Sequence, residues 1–277
     1  MFTQIGIKYC SPSLYLVIRF FIALLLCLIF FGKHIFKASK KTIKQGCLLG
    51  IFFACGFLLQ TFALKYTTIT NTAFITNFSA ILTSFVYWII SREKIKFLTK
   101  ISVFIGFTGI YILANPTMDA INWGDLLTLS STVFWALYIS YLHIFTNGTK
   151  DFALNTQLVA FQFVVGLPIL STYFFIFEFQ NVYFTLNTSL IVSLLFNTIL
   201  ASFLVSFIQI SVQKYTTPIN AALIFAIEPI FASFFAFIFF NEILTTRVYI
   251  GGTFMLLAVF VGDILGLILD KFKKRNC

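Results

Sequence analysis

Charge is scarce in this chain. Of 277 residues only 10% are Asp, Glu, Lys or Arg, and nine are acidic, where a soluble domain carries about 25% charged residues. That deficit excludes a soluble globular protein, and 60% hydrophobic residues with a mean hydropathy of +0.98 exclude a disordered one. Histidine is nearly missing: His34 and His143 stand far from any Cys, Asp or Glu cluster, so a zinc site has no ligand set. The five cysteines (Cys10, Cys27, Cys47, Cys55 and Cys277) form no pair at metal or redox spacing. No G-x-x-x-x-G-K-[ST] occurs, so the chain by itself cannot be driven by ATP. Nor is there a G-x-S-x-G, an H-E-x-x-H, or a pair of aspartates on facing helices, since Asp263 and Asp270 share one helix end. No enzyme activity, cofactor or metal is expected. Leu24-Leu25-Leu26-Cys27 lacks the small residue that precedes a lipoprotein cysteine, and no basic leader with an A-x-A-like site opens the chain; no cleaved signal peptide is expected.

What the chain has is long apolar runs. At about 20 apolar residues per spanning helix, they predict nine membrane spans, near 13–31, 46–64, 71–90, 98–114, 125–144, 154–177, 188–211, 219–240 and 247–269. The connections are short, with no Gly/Ser-rich or Pro-rich linker. Basic residues then orient the chain. Fifteen fall on one side: Lys33 to Lys44, Arg92 to Lys100, Lys150, Lys214 and the tail from Lys271 to Arg275. Lys8, Lys65 and Arg247 fall on the other, and Arg19 lies within a span. The tail and the 33–44 and 92–100 loops are therefore expected in the cytoplasm, in a multi-pass protein of the cell membrane. The net charge of +10 is thereby an orientation signal, and no nucleic-acid partner is expected.

An internal repeat runs through these spans. Gln60, Lys65-Tyr66-Thr67-Thr68, Asn71 and Glu93 recur as Gln209, Lys214-Tyr215-Thr216-Thr217, Asn220 and Glu242, every pair separated by 149 residues. Shared amides, Lys, Tyr and Glu in register are hard to obtain by chance in so apolar a chain. Five crossings lie between the two Lys-Tyr-Thr-Thr copies, which places them on opposite faces. Two homologous halves of opposite orientation form an inverted repeat, with a site expected near mid-bilayer at their interface. The second half begins near Trp123-Gly124, and the 149-residue offset places its counterpart before Met1. The first half thus has four spans against five. Either a first helix is lacking or the start was assigned late, and residues 1–11 are expected outside.

Several stretches resemble the EamA-type branch of the drug/metabolite transporter superfamily. They are Ser11-Pro12 followed by Arg19-Phe20 and Ala23, Gly124-Asp125-Leu126-Leu127 leading to Trp135-Ala136-Leu137-Tyr138, Glu228-Pro229 ahead of Asn241-Glu242, and Gly251-Gly252. The resemblance covers nearly the whole chain and implies an all-α membrane fold, an inverted-repeat bundle of ten helices, here nine (4 + 5). It implies repeats at 1–116 and 122–270, a basic cytoplasmic tail at 271–277, and transport of amino acids or similar small metabolites, often outward. The chain departs from the pattern in the absent first helix and at Ala80, where relatives often have proline.

Candidate site residues follow from polar groups placed in apolar surroundings. Glu228 falls about nine residues into its span, roughly 13 Å deep, where a carboxylate costs about 3 kcal/mol. Pro229 removes a backbone donor and leaves the Phe225 carbonyl without its helical partner. A titratable group beside a free carbonyl suits a proton or a polar substrate; the plainer role is a protonated Glu bonded to a neighbouring helix. Arg19 falls about six residues into the first span, roughly 9 Å deep. Its stem either carries the charge up to the interface, or the charge stays inside to receive a substrate carboxylate or to pair with Glu228. Thr72, Thr76, Ser79 and Thr83 share one helix face, and Thr198, Ser202, Gln209 and Gln213 approximate another; each face looks at a helix or at a wet cavity. Gln60 and Gln209 gain weight as repeat equivalents, and Asn77 needs partners in either reading. Trp135 and Tyr138 are i, i+3 neighbours near mid-depth, placed to stack on a substrate or simply to pack. Pro168 is mid-span, a kink and possible-hinge position.

The leading expectation is a secondary transporter working by alternating access. Its expected partners are a small-molecule substrate, protons coupled through Glu228, and the lipid bilayer. A lipid flippase shares the architecture, and a non-transporting membrane partner is the other alternative.

Overall fold

The computed structural model describes residues 2–92, 97–114, 122–147, 151–213, 228–241 and 245–265. In chain order its α-helices are α1 (Phe2–Gly6), α2 (Pro12–Ile35), α3 (Lys40–Ala63), α4 (Ile69–Ser91), α5 (Phe97–Ala114), α6 (Trp123–Thr146), α7 (Phe152–Tyr173), α8 (Thr188–Leu195), α9 (Val205–Gln213), α10 (Glu228–Phe240) and α11 (Thr246–Val259). A π turn at Phe174–Glu178 and a 3-10 turn at Phe179–Asn181 extend α7. A nine-residue π segment, Phe196–Leu204, joins α8 to α9, and another, Phe260–Leu265, follows α11. Among the described residues the one strand-like feature is an antiparallel bridge between Cys10 and Phe184.

Among the described residues six helices are long and apolar enough to cross a membrane: Pro12–Ile35, Lys40–Ala63, Ile69–Ile90, Trp123–Thr146, Phe152–Asn181 and Thr188–Val212. The protein is an all-α membrane protein, as its composition requires. Helices suit this chain because each satisfies its own backbone, which lipid cannot do. Outward-facing side chains are large and apolar, among them Phe104, Ile29, Phe97 and Phe175. Helix ends are closed by side chains: the hydroxyl of Thr68 accepts from the Asn71 N–H at 3.0 Å, Asp151 from that of Ala153 at 2.8 Å, and Asn187 from that of Leu190 at 2.8 Å. Pro12 opens α2 at a position whose N–H needs no helical partner. The predicted span 219–240 is described from Glu228 onward, and Lys214-Tyr215-Thr216-Thr217, Asn220, Glu93, Glu242 and the 271–277 tail lie outside the described residues.

Helix lengths follow the repeat. Applying the 149-residue offset to the bounds of α3 gives 189 and 212, against 188 and 213 for the helix running from α8 to α9. For α5 it gives 246 and 263, against 246 and 265 for α11 with its π segment.

Packing divides the chain differently from the repeat. One compact unit takes Met1–Thr61 with Tyr141–Tyr215, the other Phe62–Ser140 with Thr216–Cys277. In the first unit α2 packs on α7. There α3 meets α7 through Gly46 and Gly50: a Cβ on Gly50 would lie 2.8 Å from the Gln162 carbonyl oxygen, and one on Gly46 would lie 2.5 Å from Phe161 Cβ. Small residues one turn apart let the backbones approach this closely. In the second unit α5 packs on α11 and α4 on α10, around Phe74, Ile75, Phe78, Ile81, Met255 and Ala258. Here Gly109 admits the Gly251 carbonyl, which would lie 2.9 Å from an added Cβ.

Candidate functional site: a buried polar seam in the first unit

Tyr15 and Arg19 stand one turn apart on α2, and both are buried, with 0% and 2% exposure. Opposite them run Ser193 on α8 and Asn197, Thr198 and Ser202 on the π segment, all buried. The Tyr15 hydroxyl lies 2.7 Å from Ser193 Oγ and accepts from Asn197 Nδ2 at 2.6 Å. Arg19 donates from Nε to Ser202 Oγ at 2.6 Å, and its guanidinium carbon lies 4.5 Å from the centre of the Phe57 ring on α3. The π segment makes this alignment possible. Bonding from i to i+5 widens the turn, so residues five apart, Asn197 and Ser202, come onto one face. Nothing in Phe196–Leu204 announces it: the segment has neither Pro nor Gly.

The sequence leaves Arg19 a choice between the interface and the interior, and in the structure its side chain is enclosed by protein, 2% exposed. A charge in a spanning helix costs about 3 kcal/mol. A hydrogen bond to a charged group returns about 1.5–3 kcal/mol, and a desolvated cation over an aromatic face about 2 kcal/mol. Ser202 and Phe57 therefore hold the cation in place without a counter-charge. Among the described residues no carboxylate pairs with Arg19, and the four N–H donors of its two Nη atoms have no acceptor. In the same π segment the fully buried Thr198 hydroxyl has no hydrogen-bond partner among the described residues.

At one end of this unit, residues 9–13 are tied to the segment that follows α7. The Ser13 N–H donates to Glu178 Oε2 at 2.9 Å, and the Ser13 hydroxyl also bonds that oxygen. The carboxylate thereby caps the α2 N-terminus from another helix. The Ser11 N–H donates to the Tyr183 carbonyl at 2.9 Å, and the Tyr183 N–H donates to Ser11 Oγ at 2.9 Å. Cys10, ahead of α2, has its thiol pKa pushed up to about 12, first by burial and then by the Glu178 charge. Pro168 lies inside α7 in the same unit.

The predicted site residues divide between the units. Arg19, Gln60, Gln209 and Pro168 belong to the first, the two glutamines being half-buried. Thr76, Asn77, Trp135, Tyr138, Glu228 and Pro229 belong to the second. Asn77 is buried, and neither its Oδ1 nor its Nδ2 has a hydrogen-bond partner among the described residues. Tyr138 is fully buried and meets the half-buried Trp135 edge-to-face, with ring centres 6.1 Å apart. Thr72 and Thr83 donate to the carbonyls of Thr68 and Ser79, one turn back on their own helix, at 2.9 and 2.7 Å, so these hydroxyls are engaged locally. Glu228 and Pro229 open the described part of α10, and their side chains lie outside the description.

Sequence reasoning missed Tyr15, Ser193, Asn197, the Glu178 cap, and a contact at the start of α6, where Thr67 Oγ1 donates to Asp125 Oδ1 at 2.5 Å. The i, i+4 spacing of Tyr15 and Arg19 was the available signal. Among the described residues no group of three His, Cys, Asp or Glu could hold a metal ion.

The model of the EamA-like transporter family matches residues 1–115 and 122–261. An uncharacterized transporter of Archaeoglobus fulgidus is 31% identical over 258 residues, 93% of this chain and 79% of its own length. A second from the same organism is 25% identical over 94% of this chain and 91% of its own length. An uncharacterized transporter of Clostridium kluyveri is 27% identical over 80% of this chain and 74% of its own. One solved crystal structure superposes with a TM-score of 0.66 at 13% identity, covering 93% of this chain and 89% of that one. At that identity the likeness shows the fold alone.

Proposed function

We propose, from the premise that this chain belongs to the EamA-like transporter family and is a membrane transporter, that it is a secondary transporter of small polar metabolites working by alternating access. The observation that carries this reading is the polar seam joining Tyr15 and Arg19 to Ser193, Asn197 and Ser202 within helices otherwise built for lipid. Polar groups at that depth are costly and rare unless they serve a pathway or a site. The two repeats, 1–116 and 122–270, supply the symmetry. Exchanging the conformations of two inverted halves turns an outward-open state into an inward-open one. Transport runs outward across the cell membrane, with the 271–277 tail in the cytoplasm. Glu228 is the coupling residue, since a carboxylate preceding a proline in an apolar span can take and release a proton next to a freed carbonyl.

The test is solute counterflow in proteoliposomes holding the purified full-length chain, with labelled amino acids, organic acids and amines, with and without a pH gradient. Saturable exchange that the gradient accelerates is the expected result. Liposomes no more permeable than empty ones to every solute, at every gradient, sink the proposal.

A further inference from the structure

We infer that the solute carries a single carboxylate, and that Arg19 receives it; the inference rests on the transport reading above and names its substrate class. Arg19 is the only buried Lys or Arg among the described residues, so the seam offers one positive charge and balances one negative charge. Its Nε is committed to Ser202. The free edge left to it, the N–H donors of the two Nη atoms, matches the two oxygens of a carboxylate end-on. Thr198, four residues before Ser202 in the same segment, adds a buried hydroxyl with no hydrogen-bond partner among the described residues. Opposite the polar seam the surroundings are aromatic: Phe57 lies under the guanidinium and packs edge-on with Phe20, which in turn meets Phe53 and Phe163. Such walls favour a solute with one anionic group and an apolar body, and disfavour phosphates and dicarboxylates, whose second charge would have no partner.

The experiment is thermal unfolding of the full-length chain in detergent. The probes are acetate, 3-phenylpropionate and L-phenylalanine, each beside its amide, with succinate, inorganic phosphate and dihexanoyl phosphatidate as further anions. The expected result is a rise in midpoint of about 3 °C or more with at least one of the three monocarboxylate acids at saturation. Its amide gives little or none, Arg19→Lys keeps part of the rise, and Arg19→Gln loses it. If Arg19→Gln does not fold, the acid–amide contrast in the unaltered chain and its weakening in Ser202→Ala decide the matter. Equal shifts for acid and amide overturn the inference. So does the absence of a shift with all three acids, or a shift confined to succinate, phosphate or the phosphatidate. The same preparation separates the two readings. Counterflow of neutral or cationic solutes with no acid-specific shift removes the carboxylate assignment alone, whereas an acid-specific shift with no flux of any solute removes the transport reading and leaves the binding site.

Discussion

Arg19 Nε and Ser202 Oγ are 2.6 Å apart although the residues lie 183 positions apart in the chain. This single bond joins the first spanning helix of one half to the π segment of the other, and it fixes the direction of a buried cation. Ser202→Ala would leave that N–H buried with no acceptor. We expect a loss of about 1–3 kcal/mol in unfolding free energy, measured by denaturant titration in detergent, and a smaller loss for Ser202→Thr.

The close approach of α3 to α7 gives a cleaner packing test. An alanine at Gly50 would place its Cβ 2.8 Å from the Gln162 carbonyl oxygen and 3.0 Å from Gln162 Cα, both backbone atoms that cannot turn aside. Gly50→Ala should destabilise by about 1–3 kcal/mol. Gly32→Ala is the control, since the nearest atom there is Phe36 Cε2 at 3.9 Å, and it should leave stability unchanged or slightly raised. Equal effects for the two would refute the tight α3–α7 contact.

Asn77 presents a buried amide with neither end bonded among the described residues. Asn77→Leu removes the desolvated polar groups at similar volume and should stabilise the protein by about 1–3 kcal/mol. If the amide also meets the solute, as its place among the candidates implies, the same variant loses flux. Stability and counterflow measured on one preparation separate the two effects.

For proton coupling the decisive variant is Glu228→Gln. It keeps the size of the side chain and removes its titration. Expression should be intact while acceleration by a pH gradient disappears. Flux that still responds to the gradient in this variant removes Glu228 from the mechanism.

Cys10 tests the closure around residues 9–13. Its thiol titrates at about 12 in the folded protein against 9.0 ordinarily, because burial and the Glu178 charge oppose the thiolate. The unfolded chain therefore loses this proton first as pH rises. The group's contribution to stability is complete below pH 9 and declines between there and about pH 12. Maleimide labelling of Cys10 should be negligible at pH 7.5 in the folded protein, and Cys10→Ala should flatten part of the alkaline decline in unfolding midpoint.

The spans, the orientation signal and the repeat are properties of the chain read in one dimension. Apolar run length is set by the thickness of lipid, loop lysines by the membrane's asymmetry, and the 149-residue register by shared polar residues. That is why α3 and the helix from α8 to α9 begin and end where their repeat partners predict. Arg19, Asn77 and Tyr138 were legible as candidates for the same reason, being polar or amphipathic groups in an apolar background. Which helices pack together was not legible. Polar residues mark some faces, but where α3 meets α7 and α5 meets α11 the contact is decided by the shapes that small residues such as Gly50 and Gly109 permit, and no amphipathic stripe announces it. The enclosure of Arg19 and the capping of α2 by Glu178 likewise arise only once distant helices are in contact. Each depends on a partner more than 160 positions away, and local periodicity carries no information about it.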